Sequence, residues 1–457
     1  MPEAEALRYK DWAIPSALWL LAFTALVAPA IMNGFPLVFS DTNVYVAPLS
    51  EQWSGTPPFY SMFVRLVSRV SLLGVPAVQA LCVLATLELG FRALAPGAHP
   101  PARALGGLLV VVLTQLPWLT SWLMPDVFGG LGALAILALL LGPVRPASER
   151  LFLGLIVLAA ALFSTANTLI YVGLGAIGWV IRSYWLRERS DRPLLVGATA
   201  ALGVALALPM AWNVTWFNAW RLNVGGTAMT FSKFADAGLA QRLLAETCPD
   251  HPIPICQHLG ELKAIPESQS FLWEGDPPLA GLLSAWEDEN GTFGILVRRI
   301  VRRFPLEVAA LVAGDIVTLA GRVTLEKELE PSKADDGVGG ALQSYYPRLA
   351  PLFDAARQQR GSLLQLYHAT YYKLGALLGY VGLLIVALAS FRRHDRALAA
   401  LALLTFIAVA AGIAVQGGLV GPYARYHVKF VWLPWIPIIV WTLRFSSPLQ
   451  RRALPMG

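Results

Sequence analysis

Asp41 lies in a polar stretch after the first hydrophobic run of the chain, and its carboxylate is the first candidate for catalysis. Residues 33–60 read NGFPLVFSDTNVYVAPLSEQWSGTPPFY, with Asp41 between Ser40 and Thr42. A carboxylate from which water is partly excluded can act as a general base. Ser, Asp, Thr and Asn also cap helices, so a structural role at a helix N-terminus stays open.

Asp126 is the second candidate carboxylate. It follows Met124 and Pro125 at the start of another apolar run. One interpretation is structural, because an acidic residue in the first turn complements the positive end of the helix dipole. The other is that Asp126 orients an acceptor or a metal ion. The residues therefore leave the cofactor open between none and a divalent metal.

Basic and aromatic side chains near the ends of the apolar runs are candidates to hold a phosphate and a sugar. Cations at the mouth of a membrane span are costly unless they are paired, which favours a functional role. The candidate phosphate and lipid ligands are Arg65, Arg221, Arg425, His427 and Lys429. The candidate sugar contacts are Tyr45, Trp53, Tyr60 and Tyr426.

The composition shows what kind of fold must position these residues. Apolar residues make up 56% and charged residues 14% of the 457 positions, and the mean hydropathy is +0.57. Soluble domains carry about 25% charged residues, so this composition predicts a polytopic membrane protein. In such a protein a net charge of +6 first reports orientation. We therefore expect membrane lipid, and no nucleic acid, as a partner.

Apolar runs predict about ten transmembrane helices in an all-α fold, since a helix of about 20 residues crosses a bilayer. The runs are 13–32, 75–95, 104–123, 126–142, 151–166, 168–182, 194–212, 368–390, 397–416 and 430–444. The stretch 151–182 reads as two spans with a polar reversal, with a re-entrant helix pair as the alternative. We expect the first run to be a retained span, because it is longer than the apolar core of a signal peptide.

Arginine in the short connections predicts the orientation of the bundle. Placing these connections on one side satisfies the parity of every predicted span, and that side is then the cytoplasm. The basic residues concerned are Arg8, Lys10, Arg92, Arg103, Arg145, Arg150, Arg182, Arg187, Arg189, Arg192, Arg392, Arg393, Arg396, Arg444, Arg451 and Arg452. Both termini are then cytoplasmic, and residues 33–73 and the long segment 213–365 lie outside. We expect a bacterial inner membrane protein with a periplasmic active site.

Three parts of the chain follow from this topology: a transmembrane module over 1–212 whose first outer loop is 33–73, a periplasmic segment over 213–365, and transmembrane helices over 366–457. Cys248 and Cys256 lie in the periplasmic segment, where a disulfide is favoured. Their spacing with His251 and His258 also allows a metal site, which stays the alternative.

A basic stretch in the same segment reads GILVRRIVRRFP and contains Arg298, Arg299, Arg302 and Arg303. At helical spacing these arginines form a basic face beside apolar residues, as in a helix that lies on lipid headgroups or contacts a lipid phosphate. A generic interfacial helix is the plainer interpretation. The apolar stretch 305–319 that follows is interpreted as a juxtamembrane helix, because one further span would break the parity.

The order of these features resembles the integral-membrane glycosyltransferases of the GT-C superfamily, and within it the protein mannosyltransferase-like branch that uses lipid-phosphate-linked sugars. In that superfamily the first outer loop carries a catalytic acidic residue, often followed by a Pro-Pro-Leu-Tyr-like turn. The matching positions here are Asp41, Pro57, Pro58, Phe59 and Tyr60. A later Pro-Asp matches Asp126, and an aromatic-Arg-Tyr segment matches residues 423–427.

Two departures from the family pattern bear on the substrates. Asp41 is followed by Thr42 where one branch has Glu, which leaves the class of acceptor open. Residues 164–168 read STANT and carry no lysine, unlike some relatives, which leaves the contacts to the donor phosphate open.

The resemblance implies an inverting glycosyltransferase of the cell envelope that moves a hexose or a pentose from a polyprenyl-phosphate donor to a glycolipid, a lipid-linked glycan or a protein. Asp41 would be the base and Asp126 a helper. Two alternatives stay open. A polysaccharide polymerase or ligase would place its chemistry in 213–365, and a transporter of lipid-linked sugars would not catalyse a reaction.

Overall fold

The computed structural model describes residues 2–51, 56–143, 146–187, 192–263, 270–273, 278–285, 288, 291–332 and 337–445. Trp53, one of the candidate sugar contacts, lies outside the described residues, as do Arg145, Arg189, Arg451 and Arg452.

All named elements of the structure are helices. The first half of the chain contains α1 (Pro2–Asn33), α2 (Thr42–Val46), α3 (Phe59–Ser68), α4 (Val75–Leu94), α5 (Pro100–Leu113), α6 (Leu116–Thr120), α7 (Asp126–Leu141), α8 (Ala147–Phe163), α9 (Thr165–Val180) and α10 (Arg192–Phe217). Short 3-10 turns at Leu49–Glu51 and Leu72–Gly74 and a π-helical turn at Ile181–Trp185 connect or extend these helices.

The second half of the chain is also helical. It contains α11 (Gly226–Asp236), α12 (Leu239–Thr247), α13 (Leu259–Lys263), α14 (Ser270–Trp273), α15 (Leu279–Leu282), α16 (Thr292–Arg303), α17 (Pro305–Gly321), α18 (Val338–Tyr345), α19 (Ala350–Asp354), α20 (Ala369–Arg392), α21 (Arg396–Leu419), α22 (Ala424–Val431) and α23 (Trp435–Phe445). Three 3-10 turns are described in it, at Pro254–His258, Lys327–Leu329 and Leu363–Leu366.

Four helices of the described chain are long and apolar enough to cross a membrane: Ala13–Asn33, Leu72–Leu94, Ala369–Arg392 and Arg396–Leu419. A fifth span results if the bent pair α16 and α17 is counted as one. The chain is therefore a helical membrane protein, but the expectation of about ten spans is wrong.

Polar and proline residues break the shorter apolar runs, which explains the lower number of spans. Helix α5 has 14 residues and ends at Leu113, and α6 begins at Leu116 with Pro117 in its first turn. Proline lacks an amide hydrogen and restarts a helix more easily than it continues one. Ser164 is extended, with φ −154°, and separates the 17 residues of α8 from the 16 residues of α9. The predicted span 104–123 is therefore divided in two, and α8 and α9 are each shorter than the about 20 residues that cross a bilayer.

Two hydrophobic clusters hold the described helices together. The larger cluster contains buried side chains from α1, α4, α7 to α9 and α20 to α23, and also takes in residues from Leu325 to Tyr367 of the long segment. The smaller cluster lies within 228–304 and is built around Phe231, Phe271 and Phe293, whose rings meet edge to face or tilted. The long segment thus divides between a core of its own and the core of the bundle.

Different segments and contacts mark the two ends of the bundle. We call the end that carries residues 34–74 the first-loop end, where α1 ends at Asn33 and α4 begins at Val75. At the opposite end Arg92 forms an ion pair with Glu149 at 3.0 Å, and Arg444 donates to the carbonyl of Leu94 at 2.9 Å.

A disulfide joins Cys248 and Cys256 in the smaller unit, with an S–S distance of 2.06 Å. Its sulfur atoms are bonded to each other, so the alternative metal site with His251 and His258 has no thiolate left to use. Among the described residues no group of three or more His, Cys, Asp and Glu side chains lies close enough to hold a metal ion.

Candidate active site

The chain that leaves α1 is held in an extended conformation by two neighbouring segments. The amide of Leu37 donates to the carbonyl of Ser121, and the amide of Leu123 donates to the carbonyl of Leu37, both at 2.8 Å. On the next residue, the amide of Val38 donates to Oε1 of Gln358, whose Nε2 donates back to the Val38 carbonyl. Asp41 follows three residues later, so backbone contacts with distant parts of the chain fix its position.

The carboxylate of Asp41 does not cap the short helix that it precedes. Asp41 is the N-cap residue of α2, but its side chain makes no capping hydrogen bond. The hydroxyl of Thr42 accepts instead from the amide of Phe39, at 3.0 Å. The Asp41 carboxylate turns to Arg425, where Oδ2 accepts from Nη1 at 2.7 Å. The capping role that the sequence left open is therefore not the contact that this side chain makes.

Arg425 is enclosed on the other sides of its guanidinium. The ring of Phe39 lies 4.5 Å from its Cζ, and the ring of Tyr426 lies 4.9 Å away. Its Nη2 also donates to the hydroxyl of Tyr426, at 3.1 Å. The Arg425 side chain is 11% exposed, whereas that of Asp41 is 39% exposed. The cation is therefore fixed and the carboxylate remains accessible.

Asp126 and Lys429 form a second ion pair next to the first. Oδ1 of Asp126, in the first turn of α7, lies 3.4 Å from Nζ of Lys429, and both side chains are only 5% exposed. The Lys429 ammonium lies 5.0 Å from the centre of the Tyr426 ring. Tyr426 therefore contacts both cations. We call Asp41, Asp126, Arg425, Tyr426 and Lys429 the charge cluster.

Two glycines allow α7 and α22 to approach closely enough to form the second pair. A Cβ atom on Gly129 would lie 2.8 Å from Cδ of Lys429. A Cβ on Gly130 would lie 2.4 Å from the carbonyl oxygen of Lys429 and 2.5 Å from Nε1 of Trp432. The glycines that follow Asp126 are thus required by the path of α22.

Glu328 is part of the surroundings of the charge cluster, although sequence reasoning did not single it out. It lies in the 3-10 turn Lys327–Leu329 and is 7% exposed. Its Oε1 accepts from the amide of Arg425, in the first turn of α22, at 3.3 Å. Such first-turn amides have no partner within their own helix. Burial raises the pKa of Glu328 above its ordinary value, and hydrogen bonds from backbone amides and the charge of Arg425 oppose that rise.

Tyr45 and Tyr60 pack under the first loop. The Tyr60 side chain is fully buried, and its hydroxyl donates to Oε1 of Gln79 at 2.9 Å. Tyr60 is therefore a core residue and is not positioned to contact a sugar. Tyr45 meets its ring edge to face at 4.9 Å. Burial raises the pKa of Tyr45 well above its ordinary value, and the charges of Asp41 and Asp126 raise it further.

Three of the candidate phosphate ligands do not join the charge cluster. His427 is 1% exposed, and its ring nitrogens contact the carbonyl of Leu319 at 3.0 Å and the hydroxyl of Tyr380 at 2.7 Å. Both nitrogens are thus occupied, because α22 turns this side chain into the core. Within the described chain, Arg65 and Arg221 show no hydrogen bond or ion pair to a member of the cluster.

An apolar cavity of about 780 Å³ lies between α7, α8, α9 and α10. Arg150 lines it near the start of α8, and Tyr171 lines it near the first-loop end. The Tyr171 hydroxyl donates to the carbonyl of Gly129 at 2.7 Å, the glycine that faces the Lys429 side chain. Tyr171 therefore lies between the cavity and the part of α7 that faces Lys429.

The charge cluster can do two things chemically. An accessible carboxylate can accept a proton, and two cations on adjacent turns of one helix can hold an anion such as a phosphate. No protein-family model, curated protein or solved structure matches the chain.

Proposed function

We propose that the chain is a membrane glycosyltransferase that moves a sugar from a polyprenyl-phosphate donor to an acceptor hydroxyl at the first-loop end of the bundle. The observation that carries the proposal is the Asp41 carboxylate, which is 39% exposed and lies 2.7 Å from the guanidinium of Arg425. A base for the acceptor and a cation for the leaving phosphate are the two groups that this transfer needs, and here they are neighbours.

In the proposed reaction the acceptor hydroxyl gives its proton to the Asp41 carboxylate while its oxygen bonds to the anomeric carbon of the sugar. The bond between that carbon and the phosphate oxygen breaks, and polyprenyl phosphate leaves with the electron pair. Arg425 and Lys429 stabilise the charge that develops on the phosphate. A single displacement of this kind inverts the anomeric configuration.

The ion pair between Asp41 and Arg425 suggests an order of binding. While Arg425 donates to Oδ2 of Asp41, this oxygen is occupied and cannot accept a proton from the acceptor. A donor phosphate competes with Asp41 for Arg425, because a guanidinium binds phosphate through two parallel hydrogen bonds, in a bidentate geometry. Donor binding would then release the Asp41 carboxylate for the acceptor, so we expect the donor to bind first.

The apolar cavity between α7 and α10 supports a lipid-linked donor. Its lining is almost entirely apolar, and Tyr171 connects it to Gly129, which faces the Lys429 side chain. We expect the polyprenyl chain to lie in this cavity and its phosphate to reach Lys429 and Arg425. The basic residues at the opposite end of the bundle support an orientation with the charge cluster on the outer face of a bacterial inner membrane.

The test uses Asp41→Asn in membranes that contain the full chain. The probes are polyprenyl-phosphate-linked hexose and polyprenyl-phosphate-linked pentose, and the readout is the release of polyprenyl phosphate together with labelled glycan on endogenous acceptors. The matched control is Asp395→Asn. Asp395 pairs with Arg444 at 3.3 Å at the opposite end, and its side chain is 38% exposed.

We expect transfer to fall by about two orders of magnitude or more for Asp41→Asn, in the range typical of a lost general base, and to stay unchanged for Asp395→Asn. Full transfer by Asp41→Asn at equal protein level would refute the mechanism. Mass analysis of the envelope glycolipids of a strain without the protein distinguishes the alternatives. A missing single sugar supports transfer, whereas shortened polymers with intact repeat units would point to a polymerase or ligase.

A further inference from the structure

Helix α16 presents three arginines on the side that faces away from its own core. Phe293, Leu296, Ile300 and Phe304 of this region are buried in the smaller hydrophobic cluster. Helical periodicity of 3.6 residues places the opposite face at 295, 298, 299 and 302. Arg298, Arg299 and Arg302 are exposed there, and Ile295 between them is 41% exposed.

These three arginines have no acidic partner among the residues that the structure describes, unlike the other arginines of this unit. Arg303 pairs with Glu246 at 3.1 Å, and Arg242 lies 3.6 Å from Glu307. Neighbouring arginines that share one face repel each other unless an anion lies between them. A face of this kind is therefore complementary to an anionic surface outside the protein.

The next helix, α17, connects α16 to one of the candidate membrane spans. Helix α17 leaves α16 at an angle of 101° and exposes Leu306 (80%) and Val317 (72%). Its Asp315 forms an ion pair with Lys233 at 2.8 Å, and Lys233 donates to the carbonyl of Gly417 in the last turn of α21.

Gly417 also brings the two helices into direct contact. A Cβ on it would lie 3.3 Å from Cα of Ile316. Helix α17 thus packs across the first-loop end of α21, which is one of the candidate membrane spans. Its exposed apolar side belongs at the boundary of the bilayer, and α16, which is separated from α17 by a single residue, therefore lies next to the headgroups.

We infer that Arg298, Arg299 and Arg302 form a binding surface for the headgroups of anionic phospholipids in the leaflet at the first-loop end. Exposed Ile295 and Val301, the latter 42% exposed, lie among these arginines and suit an interface of headgroups and acyl chains better than a purely polar partner. The surface anchors the unit 228–304 to the membrane, and this role does not depend on glycosyl transfer.

The first test measures affinity for the full chain. The chain in detergent is titrated with phosphatidylglycerol or phosphatidylcholine, and bound lipid is followed by native mass spectrometry. We expect Arg298→Gln/Arg299→Gln/Arg302→Gln to weaken the tightest phosphatidylglycerol binding by roughly a hundredfold, from the contribution of each cation at an anionic surface. The matched control is Arg348→Gln/Arg357→Gln/Arg360→Gln, which removes three exposed arginines of the same long segment and should leave that binding unchanged. An equal loss in both variants would overturn the inference, because it would reflect total charge alone.

The second test locates the contact and verifies that the variant is folded. Hydrogen exchange of the α16 amides is compared in nanodiscs of phosphatidylcholine with and without phosphatidylglycerol. We expect slower exchange with phosphatidylglycerol in the native chain and no difference in the arginine variant, whose α11 and α12 amides remain protected. Exchange that is insensitive to phosphatidylglycerol in the native chain would refute the surface. Equal slowing by inorganic phosphate in phosphatidylcholine discs would also refute it, because the site would then be one for free anions.

Discussion

The ion pair between Asp126 and Lys429 predicts a specific pattern of stability in a double-mutant cycle. The perturbations are Asp126→Asn, Lys429→Met and the combination of the two. Each single change removes one charge and leaves the other in a site where both side chains are 5% exposed. The double change leaves no uncompensated charge, and methionine retains most of the volume of the lysine stem.

The magnitude follows from this burial. Removing one partner of a buried ion pair costs about 3–5 kcal/mol, whereas replacing both partners is often close to neutral. Lys429→Met should be the milder single change, since Asp126 lies in the first turn of α7, where the helix dipole contributes about 0.3–1 kcal/mol. Asp126→Asn leaves the ammonium without a counter-charge and should lie at the upper end of the range. The coupling energy within the cycle is then about 2 kcal/mol or more.

The assay is the thermal unfolding of the full chain in detergent, with Asp395→Asn as the control. Asp395 is likewise a carboxylate in an ion pair, with Arg444, but its side chain is 38% exposed. An exposed pair contributes about 0–1 kcal/mol, so the control should unfold near the native temperature. Two results would contradict this role of the buried pair. One is an unfolding temperature of Asp126→Asn equal to that of the control, and the other is a loss of stability in the double variant equal to the sum of the losses in the two single variants.

Two further predictions concern residues that position α22. Gly130→Ala should lower the unfolding temperature markedly and weaken glycosyl transfer, because its Cβ would lie 2.4 Å from the carbonyl oxygen of Lys429, whereas Gly154→Ala has no atom within 4 Å to meet and should be tolerated; equal stability of the two variants would contradict the close approach of α7 and α22. Burial raises the folded-state pKa of Glu328 above 4.5, so its contribution to stability is fully present below pH 4.5 and is lost as pH rises through the raised value. Glu328→Gln should remove that fall while keeping an acceptor for the amide of Arg425, and Glu328→Ala should lose the acceptor; identical pH profiles of unfolding for the native chain and Glu328→Gln would refute this account.

The sequence was informative about residues whose chemistry depends on local context. The polar stretch around Asp41 stands out because a carboxylate flanked by apolar runs is unusual, and the structure places it beside Arg425. The spacing of Arg425 and Lys429 placed both cations on one face of a helix, where they contact Tyr426. Local patterns of this kind can be interpreted from the sequence, because each depends on the geometry of a single turn or helix.

Other features depend on contacts between distant segments and leave no local pattern. Glu328 lies 97 residues from Arg425, whose amide it accepts from, and nothing in the sequence around it distinguishes it from its acidic neighbours. His427 lies two residues from Arg425 on the same short helix, yet it points to Leu319 and Tyr380. The number of spans was overestimated for a related reason, because the apolar run 104–123 does not reveal that α5 ends at Leu113 and that α6 begins at Leu116.

Only the family resemblance ranked Asp41 above Asp126 as the base, because each is an acidic residue at the start of a helix. Burial distinguishes them. Asp126 is paired with a lysine that has the same 5% exposure, so its charge is balanced inside the core and its removal should be felt as lost stability. Asp41 keeps 39% of its side chain exposed, although its partner Arg425 is only 11% exposed, so its removal should cost less stability than the removal of Asp126. If Asp41→Asn abolishes transfer in a chain that remains folded while Asp126→Asn lowers stability first, the base is Asp41, and Asp126 acts by holding Lys429 in place for the phosphate.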